Sequence, residues 1–225
     1  TADYSGYGPS INHTILNLVI DIQIEWLNNQ VAFSEVSNRI RHCLKHEIIH
    51  GLHIARNLVF IPSSGLPSGN AATVELNSMV NSIYIRIAYL ALSRKFAPHL
   101  ADFFWFRRLV CLRHNGDDLI MAVKAAIIAW FNNETLIAFF ADFGLRMTDS
   151  AKSGLIVPFC AIEDATYLKR GFLKHPTRAN QWLAPLEHSS VTDTANWVWR
   201  SVDWRGASFV NSEMSSRLSY SSGPD

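Results

Sequence analysis

Apolar residues Ile15, Leu18, Val19, Ile22 and Trp26 recur at helical spacing with polar residues between them. That is the pattern of an amphipathic helix with one stripe turned inward. It follows a turn at Gly6 to Pro9. A second stripe, Leu76, Val80, Ile83, Ile87 and Leu90, predicts a helix from Asn70 to about Leu92. Thr73 and Asn77, four apart, make a separate polar stripe on it. Ser68 stands just ahead, where a hydroxyl can cap the helix or point into an adjoining site. Between the two helices His53 to Ile61 reads as extended, and Pro62 to Gly69 reads as a loop punctuated by Pro62, Gly65, Pro67 and Gly69.

Further along, Leu109, Val110, Cys111 and Leu112 on one side and Leu119 to Val123 on the other are short apolar runs. They flank Arg113-His114-Asn115-Gly116-Asp117-Asp118, in which Asn115-Gly116 is a tight-turn signal. The expectation is a β-hairpin with a buried base and two adjacent carboxylates at its tip. Glu134 to Phe143 predicts a short helix closed by Gly144. Leu155 to Phe159 and Ala165 to Phe172 look like short strands. After Pro176 the texture changes to Trp182, Trp197, Trp199 and Trp204 among Ser, Asn and Asp, which predicts part of a further subdomain. There are no internal repeats and no low-complexity tract.

Composition narrows the class. A chain of 225 residues with 48% hydrophobic content can bury one sizeable core, or a core plus part of a second unit. The formal net charge of +1 means that any basic surface must be local. Cys43, Cys111 and Cys160 are far apart and lack C-x-x-C spacing, which suits reduced thiols rather than a disulfide framework. No apolar run is long enough to span a membrane, and the start lacks a signal-peptide layout. The abrupt opening at Thr1-Ala2-Asp3 and the ending Ser221-Ser222-Gly223-Pro224-Asp225 suggest a piece of something larger.

Two adjacent acids repel, and a fold that holds them together usually supplies a cation. A lone Gly-Asp-Asp is also ordinary turn chemistry. Asp3, opening Asp-Tyr-Ser-Gly-Tyr, is a third acid that could stand at a strand end beside the hairpin, and three converging carboxylates suit a pair of magnesium ions about 3.5–4 Å apart. A rival motif is His46-Glu47-Ile48-Ile49-His50, which matches H-E-x-x-H, the zinc protease helix with Glu47 as base. His42 and His53 do not complete its extended spacing, and Gly51 reads as a helix stop. Lys169, Arg170, Lys174, His175 and Arg178, interleaved with Tyr167 and Phe172, form a basic cluster. Solvated face and phosphate contact are both open to it.

The run Ser68-Gly69-Asn70-Ala71-Ala72-Thr73, continuing Val74-Glu75-Leu76-Asn77-Ser78, has the form S-G-x-x-x-T-x-x-x-N-S, with G-D-D downstream at Gly116-Asp117-Asp118. The chain here resembles the RNA-dependent RNA polymerases of picorna-like positive-strand RNA viruses, the insect and related invertebrate members most. Phe143 to Ser153 resembles the fourth palm motif of that family, and Tyr167-Leu168-Lys169-Arg170-Gly171-Phe172 the fifth, a hairpin that grips the primer. With Asp3 in the first, five motifs stand in order from residue 3 to residue 172.

The resemblance implies an α+β fold: a right-hand polymerase palm, an antiparallel sheet backed by helices, with partial fingers and the start of a helical thumb. It divides the chain into palm at 1–39, a fingers portion at 40–66, palm again at 67–175 and partial thumb at 176–225. It implies metal binding by Asp3, Asp117 and, in support, Asp118. It implies nucleotide and ribose contacts from Ser68, Gly69, Thr73 and Asn77, proton donation by Lys152, and RNA contacts from Lys169 and Arg170.

The implied reaction is template-directed nucleotidyl transfer from nucleoside triphosphates to an RNA 3′-hydroxyl. Mg2+ is the cofactor, with Mn2+ as substitute. Template and primer RNA and other viral replication proteins are the partners, and host cytoplasm, at membrane-associated replication complexes, is the location. Alone, without upstream fingers, the segment should be inactive. One position departs from the family: the second aspartate usual five residues after the first is Gly8 here, which shifts sugar selection toward Asn77 and Ser68. A zinc metalloprotease and a non-catalytic RNA-binding remnant are the alternatives. Reverse transcriptase is a nearer rival, against which the Asn77 helix and Gly116 argue.

Overall fold

Thr73–Phe96 winds into one continuous helix, α4, about 36 Å long at 1.5 Å per residue, and the other elements of its unit gather round it. The computed structural model describes residues 2–149 and 156–196, without the side chains of residues 2, 3, 149 and 194–196. It divides into two compact units, Ala2–Pro158 and the residues from Phe159 onward. In the first, β1 (Ala2–Tyr4), α1 (Tyr7–Ser10), α2 (His13–Gln30), α3 (Glu35–His50), β2 (His53–Ala55) and β3 (Leu58–Phe60) precede α4. After it come α5 (Phe103–Leu109), β4 (Val110–Asn115), β5 (Asp118–Val123), α6 (Asn133–Ala141) and β6 (Met147–Asp149).

Four strands form an antiparallel sheet in the order β4-β5-β1-β6. The first strand of the chain is therefore an inner one. Ala2 pairs with Leu119 of β5 on one side and Asp149 of β6 on the other, while Asp3 pairs with Thr148. Tyr4, Tyr7, Tyr84 and Phe140 pack their rings together, with Tyr4 and Tyr7 centroids 4.7 Å apart and Tyr4 and Phe140 6.1 Å apart. That cluster joins β1 and α1 to α4 and α6 through buried aromatic surface.

The apolar stripes match the buried faces only in part: Val19, Leu76 and Val80 are buried, and Ile15, Ile83 and Leu90 pack against the core. In α2 the buried residues are Leu16, Val19, Ile20 and Ile24, whereas Leu18, Ile22 and Trp26 are 49%, 43% and 60% exposed. Both sets have helical spacing, so periodicity cannot choose between them; packing against α3 and α4 does. In α4, Leu76 and Val80 are buried as expected, Ile83 and Leu90 are half-buried, and Ile87 is exposed. Tyr84, Ile85, Ala88, Tyr89 and Leu92 are buried beside them. A helix with neighbours on several sides buries more than one stripe.

The hairpin also differs in detail. Asn115 pairs with Asp118, so Gly116 and Asp117, rather than Asn115 and Gly116, are the two loop residues, and Asp118 is the first residue of β5. Only Gly116 of the two has positive φ, at 66°. This is the type II′ pattern, whose first central position favours glycine because a β-carbon is strained there. Gly144, at φ 73°, closes α6 as predicted: its amide bonds the Ala141 carbonyl and that of Leu145 bonds Phe140, a Schellman pair.

The second unit holds β7 (Leu173–Lys174) paired with β8 (Trp182–Leu183), followed by α7 (His188–Asn196). Neither strand expected here forms among the described residues. Residues 156–159 are irregular, and Tyr167 and Arg170 pair across a tight turn with Leu168 and Lys169 at φ 53° and 60°. Two successive positive φ values make a type I′ turn. The strand stretch begins only at Leu173.

Candidate active site

The catalytic candidates are held by α4 and the sheet. Ser78 and Asn81, one turn apart on α4, face the Gly116-Asp117 turn. The Ser78 hydroxyl accepts the Gly116 amide at 2.7 Å, and the Asn81 side-chain nitrogen donates to the Gly116 carbonyl at 3.2 Å and the Asp117 carbonyl at 3.0 Å. The Asn81 oxygen accepts from the Tyr4 hydroxyl at 3.1 Å. Asn81 is 1% exposed and Tyr4 4%. Each polar atom of this buried amide has a partner, so the cost of its burial is offset. Sequence reading takes Ser78 only as the last letter of the S-G-x-x-x-T-x-x-x-N-S run and does not single out Asn81, although Asn81 continues the Thr73–Asn77 spacing by one more turn.

Asp117 and Asp118 are half-buried on this turn and strand. Asp3 follows Ala2, whose partner Leu119 follows Asp118, so Asp3 and Asp118 occupy adjacent positions on neighbouring antiparallel strands. The register thus brings the backbones of acids over a hundred residues apart in sequence to one end of the sheet. No group of three or more His, Cys, Asp or Glu side chains able to hold a metal is found among the described residues, which exclude the Asp3 side chain. Two carboxylates of the turn and a third acid on the adjacent strand are the hard oxygen donors that magnesium takes. The donor chemistry fits.

Asn77 is half-buried, and its side-chain oxygen is buried with no hydrogen-bond partner among the described residues. An unpaired buried acceptor costs about 1–3 kcal/mol, and such exceptions often mark a place kept for a ligand. Tyr7 fixes the backbone here by donating to the Asn77 carbonyl at 3.0 Å. Burial, then the nearby phenols and Asp117, pushes both Tyr4 and Tyr7 well above the usual tyrosine range, so both remain protonated donors.

Thr73 is committed locally, its hydroxyl donating to the Asn70 carbonyl at 2.6 Å with the Pro67 carbonyl 3.1 Å away. Ser68 and Gly69 are exposed in the loop before α4. Ser68 does not cap the helix; Asn70 accepts the Ala72 amide at 2.8 Å instead, because an Asx side chain two residues ahead reaches that N–H directly. The same loop is laced to α1. Gly65 and Leu66 amides bond the Ile11 and Gly8 carbonyls, and a β-carbon on Gly65 would come within 3.1 Å of Gly8 and Pro9 backbone. Gly8 itself lies in α1 immediately before Pro9, with only the Leu66 carbonyl, at 3.9 Å, near the place of a β-carbon.

Lys152 lies outside the described residues. Lys169 and Arg170 belong to the second unit. Lys169 lies 3.8 Å from Glu187, and Arg170 donates to the Ala184 carbonyl at 2.8 Å. An exposed ion pair of this kind is weak, so Lys169 is not locked away from a phosphate. His46 and His50 lie one turn apart on α3 with ring centroids separated by 5.0 Å and planes tilted by 51°, and no third ligand joins them among the described residues. The protease alternative is not favoured. A cavity of about 490 Å³ lined by Ser10, Asn12, Tyr84, Phe139, Phe143 and Leu145 includes none of the candidate residues. No helix among the described residues is long and apolar enough to cross a membrane.

A family model described as viral RNA-dependent RNA polymerase matches residues 2–219. The genome polyprotein of Deformed wing virus is 35% identical over 231 residues, covering 100% of this chain and 8% of the polyprotein. The replicase polyprotein of Drosophila C virus (strain EB) is 30% identical over 206 residues, covering 89% of this chain and 12% of that one. The chain therefore spans a small part of these relatives. Among solved structures, a Sicinivirus 3Dpol RNA-dependent RNA polymerase superposes with a TM-score of 0.70 at 17% identity, over 100% of this chain and 47% of that chain.

Proposed function

This chain belongs to the viral RNA-dependent RNA polymerase family and has the right-hand polymerase fold, and from that premise we propose that it forms the palm of an enzyme that copies RNA for viral genome replication. The single observation that carries the reading is the clamp on the Gly116-Asp117 turn: α4 grips the turn's backbone through Ser78 and Asn81, beside the strand that bears Asp3. A rigidly held pair of carboxylates next to a helix with a spare buried amide oxygen suits phosphoryl transfer to a ribose.

Asp3 and Asp117, supported by Asp118, would hold divalent magnesium, or manganese in its place. When bound, it lowers the pKa of the attacking 3′-hydroxyl and offsets charge developing on the phosphate. The chain's own residues do the positioning. The Gly116 turn presents Asp117 without a neighbouring β-carbon, and the clamp keeps the turn from shifting. Asn77 receives the ribose hydroxyl, its unpaired oxygen accepting the hydrogen bond that deoxyribose cannot offer. Ser68, Gly69 and Thr73 shape the loop and first turn under the incoming nucleotide, and Lys152 donates the proton to the departing pyrophosphate. Lys169 and Arg170 contact primer phosphates as point charge and fork.

The boundaries follow the same reading: palm at 1–39 and 67–175, a fingers portion at 40–66 and the start of the thumb from 176. Template RNA, primer and nucleoside triphosphates are the substrates, other viral replication proteins the partners, and membrane-associated replication complexes in the host cytoplasm the site of action.

The test is primer extension by a complete polymerase carrying this segment and its Asp117→Ala variant, with RNA affinity measured in parallel. Incorporation should vanish while RNA binding and thermal unfolding stay near the parent's. Incorporation that survives the substitution would overturn the assignment of Asp117, and a complete protein that binds RNA yet never incorporates would favour the non-catalytic remnant.

A further inference from the structure

Asn81 does more than fill a buried position. Neither the Gly116 nor the Asp117 carbonyl can donate, so the amide nitrogen must face both and the amide oxygen must face Tyr4, which then has to donate. The contact is directional from end to end. One end is the strand residue immediately after Asp3; the other is the backbone of Asp117 itself. Two hydrogen bonds in series thus join acids that the chain separates by most of a domain. Both side chains are nearly solvent-free, where a displaced partner leaves an unpaired polar group.

We propose that Tyr4 and Asn81 are a positioning pair that sets the separation of the Asp3 strand and the Asp117 turn, and so tunes the affinity of the acids for the divalent cation. This deepens the polymerase reading and rests on it. Ser78 holds the same turn from the amide side and, among the described contacts, does not reach β1; backbone pairing joins β1 to β5 at Ala2 and Leu119, and the Tyr4–Asn81 link adds a side-chain tie from β1 to the turn itself.

The experiment uses the complete polymerase. Tyr4→Phe removes one O–H and keeps the ring in its aromatic cluster; Asn81→Asp keeps the oxygen that faces Tyr4 and removes both N–H groups that face the turn. Primer extension is titrated with MgCl2 at saturating nucleotide, and then with nucleotide at saturating MgCl2, while calorimetric titration of the complete polymerase with MgCl2 alone reads cation binding directly and should weaken by the same factor. The expected result is a rise in the Mg2+ concentration for half-maximal rate, about threefold to tenfold in Tyr4→Phe, the worth of one hydrogen bond, and larger in Asn81→Asp, which loses two. The nucleotide KM should stay within twofold, and the double variant should be no worse than the product of the two single effects.

A Mg2+ requirement within twofold of the parent in both variants would overturn the proposal. So would a nucleotide KM that rises in step with it, or a Tyr4→Phe protein that no longer folds, since either marks a general structural role. Asp117→Ala run alongside separates the two levels: if it stays active, the polymerase reading has failed, and if it is dead while Tyr4→Phe is normal, only the positioning pair has.

Discussion

Ser78 and Gly116 stand 38 residues apart, and the Ser78 hydroxyl accepts the Gly116 amide at 2.7 Å. Gly116 is buried, so the amide has no water to turn to. Ser78→Ala should cost about 1–3 kcal/mol, the penalty of an orphaned buried donor. Urea denaturation of the complete polymerase checks the stability, and primer extension should slow with it. A stability loss well under 0.5 kcal/mol, less than about one modest hydrogen bond, would mean the turn finds another acceptor.

Gly116 has nothing within 4 Å of where a β-carbon would stand, and its φ is 66°. Its substitution cost is therefore conformational and not steric. Gly116→Asn should be milder than Gly116→Ala, and Gly116→Val the worst, because Asn tolerates positive φ and β-branched residues do not. Thermal unfolding of the three variants gives the ranking; an equal loss in all three would point to crowding instead.

Asn77 carries a buried oxygen with no partner among the described residues. Asn77→Ala should leave thermal stability unchanged or slightly raised, since an unpaired polar group is removed. Its preference for ribonucleotides over deoxyribonucleotides should fall by about tenfold, the worth of one hydrogen bond in the bound state. Competition assays with matched NTP and dNTP measure this. An unchanged preference would remove Asn77 from sugar selection.

Tyr4 and Tyr7 both have folded-state pKa values raised above their ordinary 10.0, chiefly by burial. A raised folded pKa means that the folded state keeps its protons longer than the unfolded one. The stability tied to these phenols is therefore fully present below pH 10 and declines as pH rises beyond it. Denaturation midpoints should drop with alkali, and less steeply in Tyr4→Phe. Tyrosinate absorbance from these two residues should appear only together with unfolding.

Much of this architecture is legible in the residues, for stated reasons. Asn115 to Asp118 between apolar runs gives a hairpin because a two-residue loop needs glycine, and Gly144 ends α6 because the closing residue needs positive φ. The long helix is visible from its apolar content. What is not legible depends on neighbours. Leu18, Ile22 and Trp26 have the same spacing as the residues that are buried, so only the positions of α3 and α4 decide between faces. Asn81 looks like any polar helix residue until β1 and the hairpin arrive on either side of it. Leu168 and Lys169 take positive φ with side chains that rarely do, and their neighbourhood reads as a strand for that reason.

Gly8 is followed by Pro9 inside a short helix, and helical backbone before proline is disfavoured for any residue with a β-carbon. The space outward of Gly8 is open, so the obstacle to a carboxylate there is bonded to it rather than packed on it. Engineering a second acid into this corner is accordingly a paired exchange, with Pro9 giving way in the same step. Glycine alone at this corner carries no such strain; it is proline behind a β-carbon that does.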